Sequence, residues 1–172
     1  MSQNSVSTKV VKGAVAGLVG GLVASWVMSE FQQVWSKAGE ALSGQNGKSQ
    51  KKSQGEDATV KTAEAIAEPV LGRPLNKDEK KSAGPIVHYA FGGLMGAAYG
   101  AANEVMPVSR KWFGLPYGAA LFVGADEVAV PAFGLSGPPQ DAPASSHLYG
   151  LVSHLVYAAS LETVRRNVRR RL

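Results

Sequence analysis

The amino-acid sequence predicts an all-α polytopic membrane protein with four transmembrane helices, Gly-rich packing and a long polar loop after the first span. Three observations predict it. Apolar stretches are segregated from one polar stretch between Gln32 and Ser82. Glycine supplies 20 of 172 residues and recurs at four-residue spacing inside the apolar stretches. Five of the seven Arg stand in the last eight residues, directly after an apolar helix. A net charge of +5 can indicate nucleic acid, but Arg gathered at the end of an apolar segment indicates anionic headgroups of a lipid bilayer. No nucleic-acid partner is expected. The length suits a single helical domain over residues 1–172. With no cysteine, disulfide frameworks and thiolate chemistry are excluded.

The first span is placed at residues 10–31, because Gly13 to Ser29 carries no charge over 17 residues, the short end of what crosses a hydrocarbon core. Lys9 and Lys12 precede it, so a secretory signal peptide is the competing reading; the charge-free core exceeds the roughly 7–15 residues of a signal and favours a retained anchor. Residues 32–82 are read as a polar extramembrane segment. From Gln32 to Asp57, Ser, Gln, Gly and Lys dominate without apolar periodicity, which predicts a mobile loop. Asp57 then caps an amphipathic helix whose Val60, Ala63, Ala67 and Val70 fall at helical spacing, with Pro69 perturbing its end. Asn76 and Glu79 have the three-residue separation of a capping box and predict a helix start.

The second span covers residues 84–106 and closes at Pro107. The third, 114–135, is apolar except for Asp126 and Glu127; Pro131 disrupts its helical hydrogen bonds near those acids. A Pro- and Ser-rich turn, in which Ser145 and Ser146 read as a helix cap, leads to the fourth, 147–164. It ends in Arg165, Arg166, Arg169, Arg170 and Arg171, the basic residues expected at the membrane surface. Lys and Arg are retained on the cytoplasmic side, so both termini and the 107–113 loop are predicted cytoplasmic. The segment 32–83, with nine basic and seven acidic residues, must then translocate, as long segments do with less regard to charge.

Gly13, Gly17 and Gly21, then Gly92, Gly96 and Gly100, and the pair Gly114 and Gly118 predict grooves where helix backbones approach closely, within the chain or between copies. The candidate polar groups are His88, Glu104, Asp126, Glu127, His154 and Glu162, with His147 nearby. An Asp at a helix centre costs roughly 2.5–3.5 kcal/mol in lipid, so Asp126 is expected to face the bundle interior or a partner. Asp126 and Glu127 lie about 100° apart around a helix and cannot share one partner. A proton-responsive cluster would titrate His154 against Asp126 or Glu104; a structural reading has the same groups fix helix rotation, with Glu162 pairing Arg165 or Arg166. Scattered acids and three His do not make a metal set, no phosphate-cradling Gly loop is present, and no catalytic constellation is complete. No catalytic residue, metal or cofactor is assigned.

The order Glu104-Val105-Met106-Pro107, Pro131, Gly134-Leu135, Pro138-Pro139, His154-Leu155-Val156, Ser160, Glu162 and Arg165-Arg166 resembles the YagU-type family of bacterial inner-membrane proteins of unknown function. The resemblance covers about Ile86 to Arg171, and Asp126-Glu127 departs from it. It implies a multi-span helical protein of the bacterial inner membrane and supplies no reaction. The expected function is therefore a non-catalytic structural or accessory membrane protein, packed against itself or a larger complex. The alternative is proton-linked transport or acid-stress tolerance through intramembrane His and carboxylates.

Overall fold

The computed structural model describes residues 3–43, 58–106 and 112–172, and among these all regular structure is helical. Helix α1 runs Gln3–Ser43, well past the expected first span. The loop expected from Gln32 is thus helical as far as Ser43. Its extension has a tertiary anchor: Phe31 stacks on Trp35 at 5.6 Å between ring centroids, and Trp35 meets Tyr149 of the last helix at 6.1 Å. Aromatic contacts of this kind add to area burial and override a weak local preference for coil. The rest of the expected loop, with Lys48, Lys51, Lys52 and the proposed cap Asp57, lies outside the described residues.

Helix α2, Ala58–Leu71, buries Ala63 and folds back along helix α3, Lys77–Val105, as an antiparallel hairpin. Val60 abuts Gly84 closely enough that a Cβ there would come within 2.8 Å of its side chain, and Lys80 pairs with Glu64 at 2.8 Å. Pro69 sits inside the last turn of α2, and the helix ends two residues later at Leu71, before Gly72, whose φ of 67° is the left-handed stop that glycine takes without strain. The turn leads into the capping box expected at Asn76. The Asn76 side chain accepts from the amides of Asp78 and Glu79, and Glu79 accepts from the Asn76 amide at 2.7 Å.

Arg73 grips Glu79 with both ends of its guanidinium, at 2.9 and 2.7 Å. This hydrogen bonding, with the bond from the Asn76 amide, holds the Glu79 carboxyl down at about 2. A depressed carboxylate stabilises above its unfolded value and loses that contribution as pH falls through the folded one. The cap is therefore expected to be intact at neutral pH and to weaken between about 4.5 and about 2. A carbon-13 titration of the Glu79 carboxyl should give a midpoint near the lower value, and Arg73→Gln should move it back toward the ordinary range; an unmoved midpoint would contradict the assignment.

The third apolar segment opens on a left-handed turn, Trp112 (φ 61°), Phe113 (φ 52°) and Gly114 (φ 76°). Bulky residues take this region only when their surroundings enforce it. Helix α4, Leu115–Leu121, then widens into a π-helical stretch, Phe122–Ala129, and a last short helix α5, Val130–Ala132. Helix α6 is Ala144–Arg169. Its N-cap is Pro143, without a side-chain cap, so Ser145 and Ser146 lie inside the first turn and do not serve as the expected cap.

Helix α1 is antiparallel to α3: Gly13 faces Gly100 and Glu104, Gly17 faces Gly96, and Gly21 faces Gly92. It is also antiparallel to α6, with Gly20 against Leu161 and Arg165 and Lys12 donating to the main-chain oxygen of Leu172. The α4–α5 column runs antiparallel to α6 in turn, Gly118 against His154 and Ala158, Phe122 against Gly150. Ala24, Met28, Tyr99, Tyr157 and Leu161 form the core, with Tyr117 and Leu121 packed on it. Tyr157 donates to the carbonyl of Gly92 and Tyr117 to that of Met95, so two phenols tie α6 and α4 to the backbone of α3.

Among the described residues, Ser5–Gly39 and Trp112–Ala132 are the stretches long and apolar enough to cross a membrane by length and composition. Helices α3 and α6, at 29 and 26 residues, have the length and are less apolar, because Gly, Ser, His and terminal charges dilute their apolar residues.

Candidate functional site

Two polar clusters occupy opposite ends of the long helices. The first is set by the π-helical stretch. Pro131 has no amide hydrogen, and its ring excludes an ordinary helical bond to residue 127; the amide of Val130 instead reaches Ala125, five residues back. Such wide turns are frequent at functional sites. Here the wide turn carries Asp126 and Glu127 along α6, where each meets a different histidine. Glu127 Oε1 lies 2.7 Å from His147 Nδ1, whose Nε2 lies 3.1 Å from the Pro139 carbonyl. Asp126 Oδ2 lies 3.6 Å from His154 Nδ1, which is hydrogen-bonded at 2.9 Å to the Gly150 carbonyl.

In these contacts the two acids meet different histidines, in keeping with their angular separation. The stronger contact is nonetheless Glu127–His147, not the Asp126–His154 pair that the sequence singles out. Asp126 keeps 44% of its side-chain surface exposed, whereas the His154 side chain keeps 10%. Within this chain Asp126 therefore lies at the edge of the bundle and not inside it. His88 belongs to neither cluster: its Nε2 is 3.4 Å from the Ser25 carbonyl, and its ring stands edge-on to Tyr89.

The second cluster closes the end where α1 begins and α6 ends. Glu162 is fully buried. It accepts from Arg165 Nε at 2.6 Å and the same guanidinium's NH2 at 2.9 Å, and from Arg166 Nε at 2.6 Å. Glu104, from α3, accepts from Arg169 at 2.8 and 3.2 Å. It is thus paired with Arg169 and not with His154 in this structure. Arg165 stacks 5.8 Å over Tyr99 and Arg166 5.2 Å over Phe113. The Glu162 pairs follow helical spacing and are readable from sequence. Glu104–Arg169, across 65 residues, has no local signal.

A helical chain with two stretches apolar enough to span a bilayer, and with charge gathered at helix ends, has the build of an integral membrane protein. Comparison with known proteins agrees: the family model described as "Protein of unknown function (DUF1440)" matches residues 75–163, and the chain belongs to that family. It is 30% identical over 87 residues to "Inner membrane protein YagU" of Escherichia coli strain K12, covering 51% of this chain and 43% of that protein. The chain thus aligns with less than half of the curated relative's length. No solved structure matches. The YagU-type resemblance read from the last helices holds, and this is a membrane protein.

Proposed function

We propose that the chain is a non-catalytic, four-span scaffold or accessory subunit of the bacterial inner membrane, with both termini cytoplasmic. The observation that carries this reading is the uncovered third column. Only 17% of the apolar window in Trp112–Ala132 is buried by the chain itself, against 39% in Ser5–Gly39, and Val123, Val128 and Phe133 are exposed. An apolar face of this kind needs lipid or another helix against it. The glycine contacts between α1 and α3 support a rigid bundle on which such a face could be displayed to a second copy or a larger complex.

Reporter pairs fused after Gln54, Ser109, Pro139 and Leu172 are expected to read outside, inside, outside, inside. An inside signal after Gln54 would refute the four-span arrangement at its first helix. A second reading, proton-linked transport, draws on the two acid–histidine pairs of the π-helical stretch. It requires that Asp126→Asn and His147→Gln abolish pH-driven flux in reconstituted vesicles. Co-purification of a stoichiometric partner, with no flux, favours the scaffold.

A further inference from the structure

We propose that the arginine cleft at the end of α6 binds the phosphate of one anionic phospholipid headgroup, an assignment that rests on the spanning arrangement proposed above. The cleft, about 430 Å³, is lined by Glu104, Arg165, Arg166, Arg169 and Arg170. Three of its four arginines are held in place before any ligand arrives. Arg165 and Arg166 are fixed through Nε on the buried Glu162, Arg169 through Nε on Glu104, and Tyr99 and Phe113 back two of the guanidinium planes. Holding long side chains in one geometry removes much of the ordering entropy that binding would otherwise require.

Four guanidiniums face two carboxylates, Glu162 and Glu104, so two positive charges remain in excess. Arg170 is exposed. A guanidinium fork matches a phosphate in geometry as well as charge. The surroundings select a lipid over a free anion. Beside the cleft, Val105, Met106, Trp112 and Phe113 are all more than half exposed, so a ligand with a phosphate head and apolar chains satisfies both surfaces. An exposed Trp next to basic residues is also the composition of the membrane–water interface.

Native mass spectrometry of the full chain in detergent, with phosphatidylglycerol against phosphatidylcholine, tests the assignment. One phosphatidylglycerol is expected to be retained preferentially. Arg170→Glu should weaken retention at least tenfold, while Lys37→Glu, an equal charge change on the exposed far part of α1, leaves it unchanged. An unaltered melting temperature for Arg170→Glu separates lost binding from lost fold. Equal retention of the two lipids, or equal loss in both variants, would overturn the site. Displacement of the lipid by millimolar inorganic phosphate would overturn the lipid as its source. Lipid retention is read regardless of orientation, so an outside reporter signal at Leu172 would defeat the spanning arrangement without being mistaken for failure of the cleft.

Discussion

Gly96→Leu is expected to force α1 away from α3 and to destabilise the protein by about 3 kcal/mol or more, the upper range for overpacking a close-packed contact. The reason is what a side chain would meet. A Cβ at Gly96 would fall on the carbonyl oxygen of Gly17 and on the backbone of Gly21, and backbone cannot swing aside as a flexible side-chain end can. The same collision recurs at Gly17, Gly21 and Gly100, so no local repacking relieves it. Gly124, with nothing within 4 Å of its would-be Cβ, is the matched control, and Gly124→Leu should melt close to the parent in detergent. Equal melting of the two variants would show that α1 and α3 do not depend on this contact.

Glu162→Gln should be comparably damaging. Arg165 is 3% exposed and depends on the Glu162 carboxylate for two of its hydrogen bonds; removing one partner of a buried pair strands the other charge, at about 3–5 kcal/mol. The double variant Glu162→Gln with Arg165→Met removes both charges and should recover most of the loss, since an apolar replacement of a buried pair is often neutral or better. Denaturant titration of the three variants reads this directly. A double variant no better than the single would mean that Glu162 acts mainly through Arg166.

What was legible in the sequence was what short-range patterns encode. The capping box at Asn76, the hairpin helix with Ala63 on its buried side and the Glu162 pairs all rest on residues within one turn of each other. Disturbance of the third segment was legible too, since Pro131 has one chemistry wherever it stands; that it takes the form of a π-helical stretch was not. The extension of α1 to Ser43 was missed because its support is Trp35 against Tyr149, a contact across more than a hundred residues that no window sees. The other pairings of the site were illegible for the same reason. His154 stood out by its spacing from His147 and Glu162, yet the shorter bond goes to His147, and Glu104 is claimed by an arginine from the far end of the chain.

The glycine contact also has a consequence in time. Its two halves, Gly21 and Gly92, are 71 residues apart, and α1 lies wholly outside the 75–163 region that the family model matches. In a chain inserted as it is translated, at about 5–20 residues per second, α1 waits roughly 4–14 s before the surface that covers its glycine face leaves the ribosome. During that interval a helix with a bare, close-approach groove is open to any neighbour of similar shape. The pace of synthesis thus sets how long that groove stays uncovered.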